Sequence, residues 1–282
     1  MKRLLLLSSF YFFNCFVLAQ SYIQGVIVNI DKEPIALTNV VLQSRNIGTI
    51  TNEKGEFNLS GVSPTDSIKI TNIAYYPKVI AIGNLKYNDN IILKKYIKQL
   101  DGIELRNIST YKQEIDLGFG KYANNSEFKL KPGNQIATFI ENKRATEGWT
   151  KGVSFKVEQS AKCKNSLRIR LMRRDLLSFR PSEDLLDESI IYSSTELKKI
   201  NFVDLNSYKI MLPKEGIFIV AEWLDPNQNC DIHSYTSLSA NLSEPTNIVW
   251  FNFRDKEWKK SNLPRLPNGN YMMPNVGLTV AY

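Results

Sequence analysis

The sequence predicts an all-β protein built as two β-sandwiches, and three observations carry that reading. Apolar and polar residues alternate in short runs from Tyr22 to Tyr96 and again from Ile136 to Tyr282. Turn residues such as Asp31-Lys32-Glu33-Pro34 and Asn52-Glu53-Lys54-Gly55 separate those runs, and almost nothing recurs at helical spacing.

Ahead of the first strand, Met1-Lys2-Arg3 is a short basic start and Leu4 to Leu18 is mostly apolar. Val17-Leu18-Ala19 then puts small or tolerated residues where a signal peptidase reads them. Residues 1–19 are therefore expected to be a secretory signal peptide. The protein is expected to be exported, to the periplasm, the outer-membrane surface or the medium. No later segment approaches about 18 uninterrupted apolar residues, so no transmembrane helix is expected in the mature chain.

Ile23, Val26 and Val28 open the first strand, and Pro34 ends it by removing a ladder donor. Val40-Val41-Leu42 is the second. Thr49-Ile50-Thr51 runs into the Asn52–Gly55 turn, and Phe57 and Leu59 leave it on one face, which predicts a hairpin. Ser67 to Ile73, Lys78 to Ile82 and Asn90 to Leu93 complete about seven strands over residues 22–97.

Residues 98–135 hold Lys, Asn and Gly with little apolar periodicity and are expected to form a linker. The second domain, residues 136–282, offers eight runs: Ile136 to Ile140, Gly152 to Glu158, Leu167 to Met172, Phe202 to Leu205, Tyr208 to Leu212, Ile217 to Leu224, Ile248 to Phe253 and Val276 to Tyr282. They predict a jelly-roll-like sandwich. Ser182-Glu183-Asp184-Leu185-Leu186 is expected to be a short helical turn.

Ile23-Gln24-Gly25-Val26-Ile27, Glu33-Pro34-Ile35-Ala36 with Val40, and Gly48-Thr49-Ile50-Thr51-Asn52-Glu53-Lys54-Gly55-Glu56-Phe57 together resemble the carboxypeptidase-like regulatory domain. The resemblance covers about a quarter of the chain. It implies a transthyretin-like sandwich of about seven strands, found at the N-terminus of exported Gram-negative proteins that include TonB-dependent receptors, and an accessory rather than a peptidase role. Leu100-Asp101-Gly102-Ile103-Glu104-Leu105 resembles the segment that precedes a plug domain in such receptors, but beyond the linker that ends at residue 135 only about 150 residues remain, too few for a plug and a transporter barrel. Pro181 to Leu186, Val203-Asp204-Leu205 with Tyr208, and Ile217 to Leu224 resemble the C-terminal region that accompanies this domain in uncharacterised exported proteins.

Among 282 residues, 36 Lys and Arg stand against 28 Asp and Glu, a formal +8, with three cysteines and one histidine. A zinc hydrolase site built on several imidazoles is excluded, and His233 alone could serve a catalytic triad. Signal cleavage would leave Cys163 and Cys230. Cys163 precedes the run Leu167 to Met172 and Cys230 follows Ile217 to Leu224, so antiparallel pairing of those strands would bring the thiols together as a disulfide.

Asp225, Asn227, Asn229 and Asp231 alternate as calcium ligands do, yet Cys230 and Thr236 stand where an EF-hand loop needs glycine and glutamate, so a polar turn is expected there. Lys162, Lys164, Arg168, Arg170, Arg173, Arg174 and Arg180 face only Asp175 in charge. Alternation puts Arg168 and Arg170 opposite Leu167, Ile169 and Leu171, so a solvated basic face is expected, able to attract anionic polymer or lipid head groups.

Trp149, Trp223, Trp250 and Trp258 are candidates for core packing or for a sugar platform. Three functions fit these features. The first is a non-catalytic envelope module recognising surface polysaccharide or protein. The second is a polysaccharide hydrolase using a carboxylate pair such as Glu222 and Asp204. The third is a small outer-membrane barrel ending in the alternating strand Val276 to Tyr282. No cofactor and no nucleic acid is called for.

Overall fold

A computed structural model describes residues 22–96, 113–118, 122–159, 165–194, 200–225, 235–243, 248–263 and 265–282. The first domain holds β1 (Tyr22–Val28), β2 (Asn39–Leu42), β3 (Gly48–Ile50), β4 (Glu56–Ser60), β5 (Ser67–Asn72), β6 (Tyr75–Ala81) and β7 (Asp89–Ile92). They form two sheets, β4-β1-β7 and β3-β2-β5-β6, with β1 and β7 parallel. Ile27, Phe57 and Leu59 from one sheet meet Val40, Leu42, Ile68 and Ile70 from the other in a single apolar core. The expected seven-stranded sandwich is present.

One local expectation is corrected. The Asn52–Gly55 turn forms, with Gly55 at φ 72° and the Asn52 carboxamide oxygen accepting from the Lys54 and Glu56 amides. It does not close a hairpin, because β3 pairs with β2 while β4 pairs with β1. The turn is a corner between sheets, a geometry that alternation cannot distinguish from a ladder.

The second domain comprises β8 (Glu114–Leu117), β9 (Tyr122–Leu130), β10 (Asn134–Ile140), β11 (Gly148–Phe155), β12 (Val157–Gln159), β13 (Asn165–Arg174), β14 (Pro181–Asp184), β15 (Ile190–Ser194), β16 (Asn201–Asp204), β17 (Met211–Leu212), β18 (Ile217–Leu224), β19 (Thr236–Ser243), β20 (Val249–Phe253), β21 (Lys259–Lys260), β22 (Tyr271–Pro274) and β23 (Val276–Ala281). One sheet runs β14-β13-β18-β10-β20-β21 with β15 beside β13; a second runs β16-β11-β23-β8 with β17; a third groups β12, β19, β22 and β9.

The second and third sheets are one layer broken at a bend. β11 passes into β12 across Lys156, and β22 passes into β23 across Asn275, whose amide donates to the Ser239 carbonyl. Across this layer, Val153, Phe155, Leu238, Leu278 and Val280 pack on Leu167, Ile169, Leu171, Ile219 and Trp223 of the first sheet. The chain is thus all-β and sandwich-built in both halves.

The strands expected from the sequence are present, with additions, save that the run Tyr208 to Leu212 begins in a 3-10 turn, Asn206–Tyr208, and is strand only at β17. β8 and β9 fall inside the stretch expected to be a linker: β8 pairs with β23 and β9 with β19. Both are edge strands whose exposed sides carry polar residues, which hides their periodicity. Ser182 to Asp184 lie on β14 rather than in a helical turn, drawn onto the edge of β13. The barrel alternative is overturned, because β10, β13, β18 and β20 belong to one sheet and β11, β16, β17 and β23 to another, with packed side chains between. Among the described residues, no helix is long and apolar enough to cross a membrane.

Candidate functional site

Period-two alternation gives the first sheet of the second domain two faces. Leu167, Ile169, Ala221 and Trp223 point into the core. On the opposite face, register aligns Arg168 of β13 with Glu222 of β18, Glu222 with Gln135 of β10, and Gln135 with Asn252 of β20. Four polar residues therefore form one row across four strands. All four are buried, Glu222 completely and Arg168 to 1% exposure.

The first domain covers that row. Every residue of β2 is buried, because Val40 and Leu42 enter its own core while Asn39 and Val41 face the second domain. An Arg168 Nη donates to the Leu37 carbonyl at 2.5 Å and the other lies 3.4 Å from the Glu222 carboxylate. This corrects the expectation of a solvated basic face: alternation placed Arg168 and Arg170 on the outer side, and the outer side is an interdomain interface. Arg173 and Arg174 lie beyond the covered area, the first exposed and the second half-buried.

Asp255 is the centre of the interface. One carboxylate oxygen accepts from Arg170 at 2.5 Å and from Gln135 at 3.0 Å; the other accepts from Asn39 at 3.0 Å and Thr71 at 3.1 Å. Its backbone carbonyl accepts from Lys69 Nζ at 2.6 Å. Three of these donors belong to the first domain. Arg170 also grips Asp184 through two hydrogen bonds, at 2.8 and 2.6 Å. Burial would raise the Asp255 carboxyl, but the Arg170 guanidinium beside it, with the bonds from Arg170 and Gln135, outweighs burial and holds it far below the usual carboxylate range.

The backbone supporting Asp255 is unusual. Arg254 and Asp255 both sit at positive φ, 47° and 59°, and the Lys256 amide donates to the Phe253 carbonyl across them. This is the tight two-residue turn in which Asn-Gly is the preferred pair. Two bulkier residues persist there because surrounding contacts over-determine them.

Arg254, 4% exposed, donates to Asn39 at 3.3 Å, and burial pushes its guanidinium down to about 10, still a cation at neutral pH. It passes between two glycines, one from each domain. A Cβ on Gly48 would stand 2.8 Å from its Cδ and 2.9 Å from the Val40 carbonyl; one on Gly133 would stand 2.5 Å from its Nε. Gly48→Ala is expected to destabilise by about 1–3 kcal/mol through overpacking, read as a fall in melting temperature, and an unchanged melting temperature would contradict this role for Gly48.

Two cavities flank the buried row. One of about 600 Å³ lies around Leu37, Ser166 and Leu224 and has no aromatic ring in its lining. The other, of about 520 Å³, is lined by Tyr75, Pro77, Tyr96 and Trp258, with Asp184, Asp187 and Lys256 among its polar groups and Arg170 and Asp255 at its floor. Of the four tryptophans, Trp258 lines this cavity. Trp223 is fully buried in the core, and Trp149 stacks under Lys151 at 4.5 Å.

The proposed carboxylate pair is not assembled. Glu222 lies under the first domain on the outer face of its sheet, whereas Asp204 is exposed on β16 in the other layer, bonded to Asn206. Ser166 stands opposite Leu224, so β13 and β18 pair antiparallel as the disulfide expectation requires. Cys163, Cys230, His233, Asn227, Asn229 and Asp231 lie outside the described residues. Asp225 is half-buried and contributes to the field at Arg254. Sequence reasoning missed Asp255 and Gln135, which sit in no motif, and gave Asp184, inside the Pro181 to Leu186 segment, no role at a site.

Fold and site together define an all-β chain of two sandwiches, the second capped by the first across a buried ionic patch. No family model matches the chain, and no curated protein matches it. Among solved structures, a DUF3823 family protein from Parabacteroides merdae ATCC 43184 is similar at 10% identity over 73% of this chain and 98% of that one, with a TM-score of 0.21. That likeness is too distant to carry an argument about fold or function.

Proposed function

We propose that this chain is a non-catalytic binding module of the cell envelope, and that the cavity between its domains takes a segment of surface polysaccharide. The observation that carries this reading is the lining of the 520 Å³ cavity, where Tyr75, Tyr96 and Trp258 meet Asp184, Asp187 and Lys256. Aromatic faces pack on the apolar faces of sugar rings, and carboxylate and ammonium groups bond their hydroxyls. The neighbouring cavity lacks those rings. The basic, then apolar, first nineteen residues support an envelope location.

Catalysis is the weaker reading. A glycosidase needs one carboxylic acid that stays protonated at working pH. Asp255 at the cavity floor is fixed by four side-chain donors and held ionised, so it cannot take that role.

A glycan array probed with the purified protein tests the proposal, with product analysis of each hit. Retention of an intact polysaccharide fragment, weakened about tenfold by Trp258→Ala and not by Trp149→Phe, is the expected result. Absence of any retained glycan, equal retention by Trp258→Ala, or cleavage of the hit would each overturn it.

A further inference from the structure

At the end of the strand pair β13–β14, far along the strand from the covered Arg168, the chain turns back through Asp175, Leu176, Leu177, Ser178, Phe179 and Arg180. Leu177 is 92% exposed, Leu176 71% and Phe179 53%. Burying apolar surface is the dominant stabilising term in folding, so Leu176 and Leu177 contribute almost nothing to this fold and Phe179 only its half-buried part.

The loop is nevertheless built firmly. The Asp175 carboxylate is turned inward and accepts from the Leu177 and Ser178 amides and the Ser178 hydroxyl. The Phe179 amide donates to the Asp175 carbonyl and the Asp175 amide to the Arg180 carbonyl. Phe179 takes φ 58°, where a bulky residue is strained and glycine would be the ordinary choice. Around the base stand Arg173, Arg174 and Arg180. The Arg174 guanidinium lies 5.0 Å from the Phe179 ring centroid and 5.1 Å from that of Phe139. An apolar point in a collar of three cations, with one carboxylate turned to the loop's own backbone, is what the sequence's run of arginines becomes in three dimensions.

We propose that this tip, Leu176, Leu177 and Phe179 within the collar Arg173, Arg174 and Arg180, inserts into an anionic lipid bilayer and seats the protein on a membrane surface. The apolar side chains enter the head-group boundary while the guanidiniums meet lipid phosphates. A protein partner fits less well. A stable interface buries roughly 800 Å² on each side, and three residues on a convex point fall short of that, whereas a bilayer accepts a narrow point. Charge complementarity selects anionic rather than neutral lipid.

Co-sedimentation tests this, using the full chain with vesicles of phosphatidylcholine alone and with about a third phosphatidylglycerol, comparing wild type with Leu176→Ser/Leu177→Ser. Any contribution of the apolar N-terminal residues is common to both proteins, so the difference reads the tip. Wild type is expected to pellet with the anionic vesicles and less so at high salt. The double variant is expected to partition on the order of a hundredfold more weakly, at about tenfold per leucine. Phe179→Gly, which suits the backbone it replaces, is expected to weaken binding with no loss of melting temperature. Equal pelleting of wild type and double variant, or no pelleting of either, would overturn the proposal. So would a concentration-dependent dimer abolished by the same variants without vesicle binding.

Discussion

Asp255→Ala is expected to uncouple the two domains, so that thermal unfolding separates into two transitions with the earlier one on the order of 10 °C below that of the wild type. Four side chains donate to this carboxylate, two of them, Asn39 and Thr71, from the first domain. Truncation leaves those donors without their acceptor and removes one of the two carboxylates that balance Arg170. Breaking a buried charge pair from one side costs about 3–5 kcal/mol, and at roughly 2–4 °C per kcal/mol that gives the stated shift. The first domain meets the second through bonds centred on this hub, so the loss falls on the coupling more than on either core. Differential scanning calorimetry reads it directly, and a single unshifted transition would show that Asp255 does not couple the domains.

The same group sets a pH dependence. Its folded pKa lies below the unfolded value of about 3.9, so its contribution is complete above about pH 5. It is lost as pH falls through 4 toward the folded value. Wild-type melting temperature should therefore drop steeply in that acid range, and the drop should be shallower in Asp255→Asn.

How much of this was legible follows from what alternation encodes. Period two correctly set Arg168 and Arg170 against Leu167, Ile169 and Leu171, because the two faces of a strand are local geometry. It could not say what lies over the outer face, since burial by another domain depends on contacts such as Arg168 to Leu37, which are 131 positions apart. A solvated strand and a strand capped by polar partners look alike in sequence. Val40-Val41-Leu42 carried a hint, because a strand apolar at successive positions is covered on both faces. Gly48 stood in the motif that resembles the regulatory domain, but its service as a gap for Arg254 appears only once the two domains meet. The Arg254-Asp255 turn was hidden for the opposite reason: it lacks the glycine or asparagine by which such turns are found, the strain being borne by the interface. The missed β8, β9 and β14 are sheet edges whose polar sides dilute the pattern.

Glu222→Gln is expected to destabilise the protein by about 3–5 kcal/mol although it preserves side-chain shape. The interface gathers three guanidiniums, those of Arg168, Arg170 and Arg254, with three carboxylates, those of Glu222, Asp184 and Asp255. Glu222 is completely buried, and neither of its carboxylate oxygens accepts a hydrogen bond of good geometry. It acts by charge alone, on Arg168 at 3.4 Å and through the field at Arg254. Neutralising it therefore strands Arg168 and weakens the field at Arg254, to which Asp225 and Asp255 also contribute, while changing almost no packing, which separates this effect from that of a cavity. Glu222→Ala should add the loss of packing to the same electrostatic penalty. A double-mutant cycle isolates the charge: Arg168→Met removes one stranded cation, so Arg168→Met/Glu222→Gln should be more stable than the sum of the single changes predicts. Additive changes in chemical denaturation would instead mean that Glu222 and Arg168 are held independently, each by contacts the other does not share.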